Sequence, residues 1–145
     1  MEIKLNNSTV PFSLEHTLDC GQLFRWTKHG DWWYGVVADT VIKIKQNSER
    51  LVVEFFPEPK NQEFIEKYLR LDDDLPEIFS QINKDQHINQ AINKFCGLRL
   101  IRQQPWECLI SYICATYKSI PAIKTMISNI SNCFGNKLRL SLIHI

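Results

Sequence analysis

The stretch that decides the fold is Trp32–Phe56, "WWYGVVADTVIKIKQNSERLVVEFF", in which the short polar segments "AD" and "NSE" separate three apolar runs. The middle run contains "VIKIKQ" (41–46), which alternates apolar and polar residues with a period of two. That alternation is typical of a strand with one buried and one solvated face. Because the separators are too short to hold crossover helices, neighbouring strands must be antiparallel. The stretch therefore predicts a meander.

The pattern extends toward the N-terminus. "LFRW" (23–26) precedes the turn-forming "KHGD", and it predicts one further strand. By alternation Phe24 and Trp26 share one face of that strand, while Arg25 takes the other face and forms an internal ion pair. "MEIKL" (1–5) predicts an edge strand at the start of the chain.

After "FPEPK" (56–60) the apolar period changes to that of helices. Asp74 with Glu77 three residues later has the form of a helix start, and Pro105 begins another helix. Gly97 and Gly135 are the expected stops of two helices. The apolar stripes are Phe64, Ile65, Tyr68 and Leu69; Ile88, Ile92 and Phe95; Trp106, Leu109, Ile110, Ile113, Cys114 and Tyr117; and Ile120, Ile123, Ile127, Ile130 and Phe134. The fold class is α+β: an antiparallel sheet domain with flanking helices over residues 1–85, then a helical lobe over residues 86–145.

Composition excludes several classes of protein. The 145 residues are 44% hydrophobic and 23% charged, which suits one globular domain or two small lobes. The start does not have the pattern of a signal peptide, and no apolar run is long enough to span a bilayer, so we expect an intracellular protein that is not inserted in a membrane. The five cysteines include no CxxC pair and are expected to be reduced core thiols. The four histidines are far apart, so no metal site is predicted.

Charge is unevenly distributed along the chain. Residues 86–145 contain seven lysines and arginines but one acid, a net charge of +6, whereas the whole chain carries +1. Two interpretations are open: a face that binds the phosphates of a nucleic acid, or ordinary solvated charges.

Three segments resemble the 8-oxoguanine DNA glycosylases of the helix-hairpin-helix superfamily. They are "GQLFRW" (21–26), "GVVAD" (35–39) and "FCGLRLIRQQPWECLISYICATYKSIPAIKTMISNISNCFG" (95–135). The family patterns Gly-Gln-x-Phe-Arg-Trp and Gly-x-Arg-x-x-Arg-Gln-x-Pro-x-Glu-Cys-Leu-x-Ser-x-Ile-Cys are both met, and the resemblance runs from about Phe12 to Gly135. It implies a TATA-binding-protein-like sheet domain followed by the first helices of an incomplete glycosylase lobe. The implied function is base-excision repair, the implied partner is double-stranded DNA containing 8-oxoguanine, and no cofactor is implied. If the source is prokaryotic, the expected location is the cytoplasm with the nucleoid.

The resemblance gives Gly21 a role in base recognition. Guanine has only an acceptor at N7, whereas 8-oxoguanine carries a hydrogen there. A backbone carbonyl aimed at N7 therefore accepts a hydrogen bond from the lesion and repels normal guanine, and glycine allows the close approach. The alternative is that Gly21 only makes the bend that starts the strand, with Gln22 orienting it.

The resemblance also places a DNA wedge in the turn between the last two helices, here Tyr117, Lys118 and Ser119. Tyr117 would stack into the gap left by the extruded base and Lys118 would bind phosphate. Ala122 stands where eukaryotic relatives have an arginine that contacts the orphaned cytosine. The alternative for Tyr117 is the last core residue of its helix.

No catalytic residue is predicted in these 145 residues. The family uses a lysine that attacks C1′ and an aspartate, both of which follow a Gly-rich hairpin that this sequence does not contain. Lys118 and Lys124 lack a carboxylate at useful spacing. We therefore expect the N-terminal fragment of a glycosylase/AP lyase, with a non-catalytic DNA-binding module and a helical interaction partner as alternatives.

Overall fold

The computed structural model describes residues 1–5, 10–136 and 138. Within these ranges, five strands form one antiparallel sheet, in which the first strand pairs with the fifth and the others follow in the order fourth, third and second. The strands are β1 (Glu2–Lys4), β2 (Trp26–His29), β3 (Trp32–Val37), β4 (Thr40–Asn47) and β5 (Arg50–Phe56). The predicted meander and edge strand are confirmed.

Two-residue turns connect the strands of the meander. Gly30, Ala38 and Ser48 occupy them with φ of 59°, 53° and 51°. Positive φ matches the mirror-image turns that suit the twist of paired strands. These turns set the register: Trp33 pairs with Ile44, which pairs with Val53.

The core lies on one face of the sheet. Ile42 and Ile44 of β4 and Leu51 and Val53 of β5 are fully buried, in one cluster with residues of the helices Leu14–Asp19 and Gln62–Leu69. In the part of the chain that the structure describes, six helices surround or follow the sheet. They are α1 (Leu14–Asp19), α2 (Gln62–Leu69), α3 (Leu75–Ile82), α4 (Gln86–Lys94), α5 (Pro105–Ala115) and α6 (Ile120–Phe134). The α+β class and the predicted helices are confirmed, including the cap of α3, where the Asp74 side chain accepts a hydrogen bond from the Glu77 backbone N–H at 3.1 Å.

Two details of the sequence prediction differ from the structure. Helix α1 was not predicted, because six residues are too few to display a helical period. "LFRW" is not a whole strand: β2 begins only at Trp26. Phe24 and Trp26 therefore do not share a face, since Trp26 packs in the core of the sheet whereas Phe24 packs against Cys114, Ile123 and Ile127 of the last two helices.

The stripes of the last two helices are only partly buried. Cys114, Ile123 and Ile127 form a small core with Phe24. Trp106 and Tyr112 of α5 are 67% and 75% exposed. The cysteines are free, but only Cys114 is buried, so the expectation of core thiols is wrong for the others. Within the described residues, no helix has the length and apolarity needed to cross a membrane.

Candidate functional site

The segment between α1 and β2 turns at Gly21, whose φ is +86°. Residues with a side chain rarely adopt this conformation, so the backbone favours glycine here. The available space does not exclude a side chain, because a β-carbon added at Gly21 would lie in ordinary contact, 3.5 Å from Cδ1 of Ile120. Ile120 is the first residue of α6 and lies three positions after Tyr117. The structure thus brings the two predicted site elements, the Gly21 turn and the α5–α6 turn, next to each other.

Gln22 ties this turn to the segment that leads into α5. Its Nε2 donates to the carbonyl of Arg99 at 2.9 Å, and its Oε1 accepts from the backbone N–H of Ile101 at 3.0 Å. Nε2 of Gln103 donates to the main-chain carbonyl of Gln22. The predicted role of Gln22 in orienting the bend therefore has a structural basis in contacts that span about 80 positions of sequence.

A cleft of about 980 Å³ opens between the Gly21 turn, the 100–103 segment and α5. Much of its wall is apolar, which suits a flat aromatic ligand. Among the residues that line it are Gly21, Phe24, Leu100, Arg102, Cys108 and Tyr112. No lysine lines this cleft in the part of the chain that the structure describes.

Acidic residues hold the arginines of the cleft. Arg102 bonds Asp72 through Nη1 at 2.9 Å and Asp73 through Nη2 at 3.2 Å, and Asp73 also lies 3.5 Å from Nε of Arg70. The hydrogen bond from Arg102 lowers the pKa of Asp72. Asp74 caps α3, as its spacing from Glu77 predicts, whereas the neighbouring Asp72 and Asp73 fix the cleft wall.

A second ion pair joins the start of β2 to α5. Nη1 of Arg25 lies 3.5 Å from Oε2 of Glu107, and both side chains are part-buried. Burial raises the pKa of Glu107, and the nearby Arg25 opposes that shift. The internal ion pair predicted for Arg25 is confirmed.

The α5–α6 turn is a protruding feature of the helical part. Tyr117 has a φ of +54° and is fully exposed (102%), so it is not the last core residue of α5. Lys118 follows it, and Ser119 is the N-cap of α6 but makes no side-chain capping bond. In the described residues neither Lys118 nor Lys124 forms an ion pair.

Sequence reasoning missed the partners that build this site. Contacts with the Gly21 turn or its flanks come from Thr17, Gln103 and Glu107, and Arg102 lines the same cleft. The relevant residues are thus Thr17, Arg102, Gln103 and Glu107. Arg102, Gln103 and Glu107 lie inside the motif "GLRLIRQQPWECL" (97–109). Their spacing within that motif was the signal that could have identified them as site residues. Histidine, cysteine and carboxylate side chains form no group of three or more that would hold a metal ion within the described ranges.

Comparison with known proteins identifies the family. The family model of the 8-oxoguanine DNA glycosylase N-terminal domain matches residues 4–109. The Arabidopsis thaliana N-glycosylase/DNA lyase OGG1 is 28% identical over 137 residues, which cover 90% of this chain and 37% of that protein. The apo structure of the Clostridium acetobutylicum 8-oxoguanine glycosylase/lyase superposes with a TM-score of 0.81 at 30% identity and covers 91% of this chain and 47% of its own. The same Clostridium protein bound to double-stranded DNA with cytosine opposite 8-oxoguanine gives a TM-score of 0.80 at 30% identity, covering 91% and 46%.

The chain spans less than two fifths of the Arabidopsis relative and less than half of the Clostridium chain. Because the family model matches most of its residues, from the edge strand into α5, this chain belongs to the 8-oxoguanine DNA glycosylase family, whose N-terminal domain it contains.

Proposed function

We propose that this chain is the lesion-reading N-terminal portion of an 8-oxoguanine DNA glycosylase/AP lyase that acts in base-excision repair. Its partner is double-stranded DNA containing 8-oxoguanine, inside the cell. The observation that carries the proposal is the Gly21 turn, whose positive φ favours glycine and which lines the cleft of about 980 Å³.

The cleft suits a base that has left the duplex. Enzymes that act on a base extrude its nucleotide into a pocket, where stacking and hydrogen bonds identify it. Phe24 and Tyr112 supply aromatic surface here. The Gly21 carbonyl supplies the acceptor for N7–H, a hydrogen that 8-oxoguanine has and guanine lacks.

The α5–α6 turn supports the same proposal. An exposed tyrosine in the left-handed region costs about 1–2 kcal/mol, and such strain is typical of functional sites. Tyr117 is suited to fill the gap that the extruded base leaves, with Lys118 and Ser119 against the backbone phosphates.

We assign neither base excision nor cleavage of the DNA strand to residues of this chain. The lysines considered, Lys118 and Lys124, lie outside the residues that line the cleft. With an oligonucleotide containing 8-oxoguanine, borohydride treatment is therefore expected to trap no covalent adduct on these 145 residues. A trapped adduct would show a nucleophile within the chain and contradict this assignment.

The role of Gly21 is tested by comparing it with Gly30, a second glycine whose φ is positive. Gly21→Ala and Gly30→Ala both place alanine at positive φ, at a similar cost of about 1 kcal/mol, but Gly30 lies in the β2–β3 turn with nothing within 4 Å of the added carbon. Fluorescence anisotropy gives the ratio of Kd for guanine and 8-oxoguanine duplexes. We expect Gly21→Ala to lower this ratio and Gly30→Ala to leave it unchanged. Equal ratios in both variants and the parent would refute the role of Gly21.

A second candidate function is a helical interaction partner, which the exposed apolar residues of α5 favour. Trp106, Leu109, Tyr112 and Ile113 are all about half or more exposed, an unusual cluster for a monomer surface. Light scattering after size exclusion tests this: self-association that Tyr112→Ser abolishes, together with no preference for lesion DNA, would favour this function over lesion reading.

A further inference from the structure

We infer that Gln22 is a positioning residue for lesion selectivity: its side chain and main chain set the direction of the peptide that follows Gly21. This inference rests on the proposed function, because it concerns the carbonyl that reads N7–H. It is carried by contacts that join Gln22 to the segment before α5.

The Gln22 side chain replaces a neighbouring strand. Its amide bonds the carbonyl of Arg99 and the N–H of Ile101, which are the two main-chain groups that a paired strand would bond. The N–H of Arg99 donates to Oγ1 of Thr17 at 3.1 Å, and that hydroxyl donates to the carbonyl of Ser13 at 2.6 Å. The 99–101 segment is thus held to α1 and to the Gly21 turn by side chains.

The main chain of Gln22 is held as well. Nε2 of Gln103 donates to its carbonyl, and Nε2 of Gln22 contacts Sγ of Cys20 at 3.1 Å. Gly21 is thereby flanked by two anchored residues. Within the described part of the chain, the hydrogen bonds of this turn use the carbonyls of Thr17, Gln22 and Arg99 but not that of Gly21, which leaves the Gly21 carbonyl available to a ligand.

A glycine needs this support more than any other residue. It has the widest choice of φ and ψ, so without neighbours that are held its carbonyl would sample many directions. A hydrogen bond weakens steeply when its angle departs from linear. Loosening Gln22 should therefore reduce the preference for N7–H more than the overall affinity for DNA, since affinity rests largely on phosphate contacts.

The chain contains a matched control for this role. Gln46 makes the same kind of amide clasp: Nε2 donates to Phe12 and Ser48 carbonyls at 2.8 and 3.1 Å, and Oε1 accepts from the N–H of Leu14 at 2.8 Å. Gln46 holds the start of α1 to the β4–β5 turn and is not among the residues that line the cleft. Gln46→Glu therefore repeats the chemical change of Gln22→Glu away from the Gly21 turn.

The experiment uses the full chain with labelled duplexes that contain guanine or 8-oxoguanine opposite cytosine. Gln22→Glu replaces the donor to Arg99 by a repelling oxygen. We expect the ratio of the two Kd values to fall about tenfold, the equivalent of one well-made hydrogen bond. Gln46→Glu should lower Tm comparably and keep the parent ratio.

A second variant and a second readout separate the outcomes. Gln103→Glu removes the donor to the Gln22 carbonyl but leaves the Gln22 side chain in place. We expect it to lower the ratio of the two Kd values as well, so it tests the positioning role if Gln22→Glu does not fold. Amide hydrogen exchange at Ile101 reports the clasp without DNA. It should speed up in Gln22→Glu, because repulsion by the Arg99 carbonyl displaces the side chain that accepts from the Ile101 N–H. A parent protein with no preference for the lesion would refute the proposed function and this inference together. A selective parent whose ratio survives in both folded variants would overturn the positioning role alone.

Discussion

At the scale of single residues, a buried hydrogen bond in the core joins Trp26 and Tyr68. Nε1 of Trp26 donates to the Tyr68 hydroxyl at 2.9 Å, and burial raises the pKa of that hydroxyl. Tyr68→Phe leaves the indole N–H buried without an acceptor, so we expect a loss of about 1–3 kcal/mol in the free energy of unfolding.

Urea denaturation measures this loss, with Tyr34→Phe as the matched control. Tyr34 lies on the other face of the sheet, outside the core cluster, and its variant should change stability by less than about 0.5 kcal/mol. Equal losses in the two variants would show that the buried contact is not the source of the effect.

Residues also mark the limit of prediction from sequence. Gly21 and Arg25 both stand in the motif "GQLFRW", which is a local signal. The contacts of Arg102 with Asp72 and Asp73 join residues about 30 positions apart and leave no periodic trace in the sequence. Such contacts depend on how the chain folds back, so only the structure reveals them.

At the scale of elements, the ion pair between Arg25 and Glu107 joins the residue that precedes β2 to the first turn of α5. Burial raises the pKa of Glu107 above its ordinary value of 4.5, so the folded chain binds this proton more tightly than the unfolded chain. The stability contributed by protonation is therefore complete below about pH 4.5 and is lost as pH rises through the raised pKa.

We accordingly expect Glu107→Gln to gain stability relative to the parent as pH rises from about 4.5 through the raised pKa of Glu107. Urea denaturation across this range measures the difference, and Glu58→Gln, at an exposed position, is the control. A difference between parent and Glu107→Gln that does not change with pH would contradict the assignment.

The α5–α6 turn gives a prediction about salt. If Lys118 contacts a phosphate, Lys118→Ala should reduce the slope of log K against log salt by about 1. Lys84→Ala, in the connection between α3 and α4, should leave the slope unchanged. Anisotropy titrations at several salt concentrations measure both, and identical slopes for all three proteins would remove Lys118 from the interface.

At the scale of the whole molecule, the sheet and the helices were predictable because their apolar periods are strong and their turns are short. The beginning of β2 was not, because residues 20–25 follow the hydrogen bonds of Gln22 rather than a period. The exposure of α5 was not predictable either, since a stripe of apolar residues does not reveal how many of them are covered by other parts of the chain. The division at residues 85 and 86 stays a prediction, and Ile101 packs in the core of the sheet.

The most direct test of lesion reading varies the base in the DNA and leaves the protein unchanged. The Kd of the parent chain is measured for duplexes with 8-oxoguanine, guanine or 7-methyl-8-oxoguanine opposite cytosine at one salt concentration. If a carbonyl reads N7–H, guanine and the 7-methyl base should both bind about tenfold or more weakly than 8-oxoguanine, because both lack the donor. Equal affinity for all three duplexes would contradict recognition of N7–H by the Gly21 carbonyl.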